Sequence, residues 1–270
     1  MKEFTYNGKA ARLSRVMAEF YPLLSYNQIL RLIKDKEIRV NGEKISSDVT
    51  IENGSIIRSY AKDAALKTVY EDENIVVVYK PKGLASEGDA SAESVMADSR
   101  RGGLFLCHRL DTNTDGLLMF AKSEAALNET AKGFKEGKVE KVYAARVYGR
   151  ISGDVVYTDY LLKNAKEGKV KVFSERKQGA SEIVTAVRVL GYDGGTTLIE
   201  ASIHSGKTHQ IRAQLAAHGH FILGDGKYGR DDINRKFNFK KQQLSAKKLI
   251  FRFEKDSFLY YLNGKNIQID

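Results

Sequence analysis

The densest chemistry in the chain lies between Phe105 and Ser123, in FLCHRLDTNTDGLLMFAKS. A polar run from His108 to Gly116 leads straight into Leu117-Leu118-Met119-Phe120, and an unbroken apolar stretch of this kind predicts a strand buried on both faces. Asp111 therefore stands at the edge of a buried strand, where a carboxylate can act as nucleophile or proton acceptor without an external cofactor. Taken alone, the position better suits a residue whose side chain caps or turns the loop by bonding to its backbone. A second dense stretch, SIHSGKTHQIRAQL from Ser202 to Leu215, contains Gly206-Lys207-Thr208, the tail of the phosphate-binding G-x-x-x-x-G-K-[ST] loop. That loop needs another glycine five residues before Gly206, where it turns and aims its N–H groups at phosphates. Here the position holds Ala201 inside a strand-like run, so the nucleotide-loop reading is set aside.

The remaining reactive residues narrow the choice. His204, His209, His218 and His220 form no H-E-x-x-H arrangement and have no carboxylate at helical spacing, so no metal site is expected. The single cysteine, Cys107, leaves no internal disulfide framework and no multi-cysteine metal site, and a buried structural thiol is the expectation. With 44 Lys and Arg against 34 Asp and Glu in 270 residues, the net charge is +10, which favours a polyanionic partner: RNA, DNA or an anionic membrane surface. No apolar run is long enough to span a bilayer, and MKEFTYNGKAARLS lacks the apolar centre of a signal peptide. A soluble, cytoplasmic protein is expected.

These residues must be held by elements that the patterning also suggests. Leu13, Val16, Met17 and Phe20 recur at helical spacing up to Pro22, and Ser25 is placed to cap a second helix whose stripe is Ile29, Leu32 and Ile33. IRVNGEKIS reads as a hairpin about Asn41-Gly42, with a further strand, SIIRSY, after Asn53-Gly54. Two helices and a small hairpin make a module over residues 1–65, with a polar bridge before the composition turns β-rich at Thr68. Helices at about 91–99, 124–136 and 207–218 then alternate irregularly with strands such as KVYAARVYG, SEIVTAVRVLGY and TTLIEASI. Residues 66–270 thus predict an α+β domain with a mixed, mainly antiparallel sheet rather than regular βαβ winding.

Two resemblances sharpen this. The first sixty residues resemble the small α-L RNA-binding module of ribosomal proteins and RNA-modifying enzymes, which implies that Arg31, Lys34, Lys36 and Arg39, with Arg12 and Arg15 nearby, lie against an RNA backbone. HRLDTNTDGLLMFAK closely resembles the H-R-L-D-x-x-T-[ST]-G-L-L-x-x-A-K motif of the RluA-type pseudouridine synthases. VVVYKPKGLAS, KVYAARVYG and SGKTHQIRAQLAAHGHFILGDGKYG resemble that family's other segments in the same order. Gly206-Lys207-Thr208 then reads as a family turn into a helix.

The resemblance implies an isomerase acting on structured RNA. In its reaction a uridine's N-glycosidic bond breaks, the uracil turns, and the ring is rejoined through carbon 5. It makes Asp111 the catalytic carboxylate. A carboxylate buried under a substrate stays ionised only beside a cation, and Arg212 is the matching arginine, able to pair with it bidentately. Tyr143 is implied to stack on the target base and to help move a proton. Arg109 is implied to fill the space of a flipped-out uridine, and Lys80, Lys82 and Lys207 are implied RNA contacts. Neither metal nor organic cofactor is expected, and the protein is expected to act as a monomer. Large-subunit ribosomal RNA is favoured over transfer RNA as substrate. The competing reading is a non-catalytic RNA-binding or ribosome-assembly factor on the same scaffold.

Three positions depart from the family pattern: Asp115 where Ser or Thr is frequent, Phe221 where proline is, and Ser245 where histidine is. Residues 201–270 add thirteen Lys and Arg against six Asp and Glu, extending the cationic surface. If about six phosphates are neutralised, RNA affinity should fall by roughly three decades between 50 and 200 mM salt, read by titration at several salt concentrations.

Overall fold

The computed structural model describes all residues except 25, 62–65, 100–102, 165–167 and 205. The expected cap at Ser25 and most of the expected linker lie outside the described residues. The chain divides into two compact units, Met1–Leu66 with Glu87–Arg101, and Lys67–Ser86 with Gly102–Asp270.

The first unit runs β1 (Lys2–Thr5), β2 (Ala11–Arg12), α1 (Leu13–Phe20), α2 (Tyr26–Lys34), β3 (Ile38–Val40), β4 (Glu43–Lys44), β5 (Thr50–Ile51) and β6 (Ile56–Ser59), and includes α3 (Ala92–Ser99). Helical spacing brings Leu13, Val16 and Met17 of α1 and Ile29 and Ile33 of α2 into one core with Ile38 and Ile57 of the sheet. That sheet has the order β1-β6-β3-β4 and is antiparallel throughout. Asn41 and Gly42 both take positive φ, 51° and 90°, as the two-residue turn between β3 and β4 demands. Strand β1 is unannounced in the sequence. Its four residues are too few to set a period, and pairing with β6 is what makes them extended.

The second unit contains β7 (Lys67–Glu71), β8 (Ile75–Lys80), β9 (Phe105–Leu106), β10 (Asp115–Ala121), α4 (Glu124–Lys135), β11 (Val139–Tyr148), β12 (Val155–Asn164), β13 (Lys169–Phe173), β14 (Ser181–Asp193), β15 (Thr196–Ile203), α5 (Gln210–Ala217), α6 (Asp231–Lys236), β16 (Leu244–Phe251) and β17 (Asn266–Gln268). Its strands form one sheet in the order β13-β12-β14-β15-β11-β16-β10-β8-β7, with β9 beside β10 and β17 beside β16. Among the described pairings only β10 with β16 is parallel, so the α+β class with a mixed, mainly antiparallel sheet is the one observed. The third helix expected in this region, 207–218, begins at Gln210 instead, because His209 takes φ 55° and breaks the helix before it. No helix among the described residues is long and apolar enough to cross a membrane.

Strand β10 is the structural centre. Leu117 to Ala121 are each 0% exposed, as the continuous apolar run predicts. Leu117 and Met119 pack with Ile75, Val77, Leu249 and Phe251. Cys107, just after β9, accepts a hydrogen bond from Thr130 Oγ1 at 3.4 Å, and burial pushes its thiol up to about 11.

The strand can enter the sheet beside β16 only through Gly116. Its φ is 119°, and a Cβ there would stand 2.2 Å from the carbonyl oxygen of Ala246. Gly116→Ala should lower the free energy of unfolding by roughly 3 kcal/mol or more, combining backbone strain with overpacking. Gly153→Ala, where a Cβ meets nothing within 4 Å, should lie close to wild type. Urea unfolding of the two variants checks the contrast.

Candidate active site

Asp111 lies in the loop between β9 and β10, and that loop is fastened along its length. The hydroxyl of Ser86 donates to Leu110 O at 2.8 Å and accepts from Leu110 N–H at 2.9 Å. Thr112 O accepts from Gly83 N–H at 2.8 Å, and Thr114 N–H closes back on Asp111 O at 2.9 Å. His108 Nε2 accepts from Met119 N–H at 3.2 Å while its ring packs edge-on against Phe134, 5.2 Å between centroids. Burial, with the nearby Lys141 charge adding to it, pulls His108 down to about 3, so the ring is a neutral clamp rather than a proton shuttle.

Lys80, expected to contact RNA, is corrected here. It is 0% exposed, and its ammonium donates to Leu84 O at 2.6 Å, Pro81 O at 3.2 Å and Thr112 O at 3.3 Å. Burial draws its pKa down to about 8 against the pull of Asp115 and Asp111. The lysine is a pin for the Asp111 loop and is closed to a polyanion.

Helix α5 supplies Arg212, 8% exposed, whose Nη1 donates to Asp111 Oδ2 at 2.7 Å. The expected pairing is present, but the expected two-pronged geometry belongs to another residue. Nε and Nη2 grip the two oxygens of Asp225 at 2.7 and 2.9 Å. Asp225 is 1% exposed and also accepts from Lys227 N–H at 2.8 Å and Tyr228 N–H at 3.2 Å. Burial alone would push its carboxyl up, yet the Arg212 bonds and these N–H groups carry it below the usual carboxylate range. Arg212 shifts the opposite way: burial works to lower its pKa, and Asp225 and then Asp111 raise it above the ordinary value.

His209 meets the other side of Asp111. Tyr228 OH accepts from Val170 N–H at 3.0 Å and lies 2.8 Å from His209 Nδ1. His209 Nε2 stands 4.0 Å from Asp111 Oδ1. Burial lowers the His209 pKa, favouring the neutral ring. Neither His209 nor Asp225 was singled out from the sequence, although both stand in SGKTHQIRAQLAAHGHFILGDGKYG.

Tyr143, 6% exposed, projects from β11 at a register shift between Val142 and Tyr143 against β16, a bulge that re-aims a side chain. Burial and then the Asp111 charge push its hydroxyl well up, so it stays protonated. Tyr143, Asp111, His209 and Arg212 line one cavity of about 160 Å³, with Leu110 and Leu244 as apolar walls. Arg109 and Lys207 are exposed residues of the same lining. Lys82 lies elsewhere: its Nζ donates to Gln242 O at 2.5 Å and sits 3.6 Å from Asp115.

The six basic residues expected on the first unit are unequal. Arg15, Arg31, Lys34 and Lys36 are exposed, Arg31 lying 3.6 Å from Asp35. Arg12 donates to Asp48 O at 2.7 Å, and Arg39 is half-buried over the Tyr60 ring at 5.6 Å.

Two of the departures noted in the sequence are one feature. Ser245 Oγ donates to Asp115 Oδ1 at 2.5 Å, and Tyr79 OH donates to Oδ2 at 2.7 Å. Among the described residues no cluster of three or more His, Cys, Asp or Glu side chains could hold a metal.

Comparison with known proteins bears on this geometry. A family model described as RNA pseudouridylate synthase matches residues 74–217. An uncharacterized RNA pseudouridine synthase of Aquifex aeolicus is 31% identical over 253 residues, covering 84% of this chain and 79% of that protein. Ribosomal large subunit pseudouridine synthase C of Vibrio cholerae is 28% identical over 268 residues, covering 89% and 82%. Among solved structures, human RNA Pseudouridylate Synthase Domain Containing 1 superimposes with a TM-score of 0.60 at 25% identity, covering 77% of this chain and 92% of that one.

Asp225→Asn should strip buried Arg212 of its two-pronged partner and cost roughly 3 kcal/mol at pH 7. Because Asp225 has a depressed folded pKa, its contribution is full above the unfolded value of about 4 and is lost as pH falls through the folded one. The gap between wild type and variant in urea unfolding should therefore narrow below pH 4.

Proposed function

This chain belongs to the RNA pseudouridylate synthase family, and on that footing we propose that Asp111 is its catalytic carboxylate and large-subunit ribosomal RNA its substrate. The observation that carries the proposal is the asymmetry of the Asp111 carboxylate. Asp111 lines the cavity; its Oδ2 is pinned by Arg212 at 2.7 Å, while Oδ1 stands 4.0 Å from His209 Nε2. One oxygen fixes the orientation and the other is presented to a substrate, an arrangement suited to attack or to proton removal at the target nucleotide.

The other cavity residues take supporting roles. Tyr143 offers a flat ring for a base to stack on and a hydroxyl that keeps its proton and so can donate it. His209 Nε2, 4.0 Å from Oδ1, is placed to meet a ribose hydroxyl lying beside the carboxylate. Arg109 at the cavity lining suits the place vacated when a uridine leaves its stack, a step costing a few kcal/mol. The exposed cations of the first unit, Arg15, Arg31, Lys34 and Lys36, suit the backbone of a large folded RNA. The relatives named as ribosomal large subunit enzymes favour ribosomal over transfer RNA. A cytoplasmic protein is the reading that goes with this substrate.

The test is carbodiimide-based mapping of pseudouridine across total RNA from cells with the gene intact, deleted, or restored as wild type or Asp111→Asn. Sites in large-subunit ribosomal RNA should vanish on deletion and return only with wild type. Purified Asp111→Asn should melt near wild type and lose roughly three orders of magnitude or more in kcat. An unchanged map on deletion would remove catalysis from the reading.

A further inference from the structure

A second recess, of about 140 Å³, borders the Asp111 loop. Thr114 lines the first cavity and its neighbour Asn113 lines this one, together with Lys82, Gly224, Lys240, Lys241 and Gln242. Segments far apart in sequence build it, and they are locked to one another. Lys82 Nζ donates to Gln242 O at 2.5 Å, and Gln242 Nε2, from a side chain buried in the wall, donates to Thr114 Oγ1 at 2.8 Å. Gly224 has φ 75° and passes so close to Lys241 that a Cβ would stand 2.1 Å from its carbonyl oxygen. Gly224 N–H is held in turn by Asn234 Oδ1 at 2.8 Å. The recess has a fixed shape.

Its chemistry is cationic, and only one of its three lysines has a carboxylate beside it among the described residues. Asp115 at 3.6 Å offsets the Lys82 charge, but among the described residues Lys240 and Lys241 have no carboxylate partner. Both are exposed, as is Asn113, whose amide adds a donor. Two consecutive lysines, a further donor and no large apolar side chain in the wall suit a compact polyoxygen anion rather than a base ring.

We infer that this recess receives a backbone phosphate of the RNA strand next to the uridine held at Asp111. The inference rests on the functional reading above and adds a phosphate subsite to it. Consecutive residues lie about 3.8 Å apart, so a strand that sends one nucleotide past Thr114 runs by Asn113 within roughly one nucleotide. Anchoring the phosphate there holds the strand while the base leaves its stack, offsetting part of the unstacking cost.

The test compares wild type with Lys240→Ala/Lys241→Ala and with Lys240→Arg/Lys241→Arg, which keeps the charge. Binding of a fluorescein-labelled oligouridylate is followed by anisotropy between 50 and 200 mM salt, and turnover is read on a large-subunit ribosomal RNA transcript. The alanine pair should bind roughly tenfold more weakly, with a salt slope smaller by about one, and its turnover loss should fall on KM more than on kcat. The arginine pair should stay near wild type in all three. Unchanged affinity and slope in an alanine pair that melts like wild type would overturn the subsite. A wild-type protein that makes no pseudouridine in the transcript overturns the functional reading instead, and the oligouridylate titration still decides whether the recess binds phosphate.

Discussion

A guanidinium that is 8% exposed must be neutralised where it stands, and the second unit is organised around that demand. Asp225 takes two of the Arg212 prongs and leaves the third for Asp111. The fully buried acid thus fixes the arginine, and the arginine fixes the more exposed one. Remove the division of labour and a single carboxylate would have to satisfy the whole cation, with no oxygen left over. Asp225 is itself held by two N–H groups of the turn that follows it, so the chain of support ends in backbone rather than in another mobile side chain.

The second support is the strand. Strand β10 lies between β8 and β16 with both faces covered, which gives the Asp111 loop a rigid exit. Lys80 shows how far this goes: a lysine that sequence chemistry would send to solvent is buried to hold three carbonyls beside the loop. Its lowered pKa records the cost of that burial, and the shared carbonyls offset it. Asp115 and Ser245 extend the same anchoring across the parallel β10–β16 pair.

Much of this was legible beforehand, and the limits are physical. Long periodic or continuous apolar segments declared themselves: α1, α2, α4, β10, β11, β14 and β15 lie near their expected places. Short elements defined by pairing, β1 above all, did not, because four residues carry no period and their partner lies more than fifty residues away. The start of α5 was displaced by the left-handed backbone at His209, a conformation that residue type alone does not announce. In the site, the Asp111–Arg212 contact could be read from motif likeness. The role of Asp225 could not, since which acid occupies a guanidinium fork depends on where a turn folds back. Nor does sequence separate Lys80 from Lys82, two residues apart in one motif, although only a structure reveals that the first is sealed and the second half-open.

Cys107 has a practical side. Its thiol is half-buried, accepts a hydrogen bond from Thr130, and is pushed up to about 11, so almost none of it is thiolate at neutral pH. It is therefore slow toward maleimides and disulfide exchange. A cysteine introduced on an exposed surface would be labelled first, and the native chain can carry a single fluorophore or spin probe without prior removal of its own thiol.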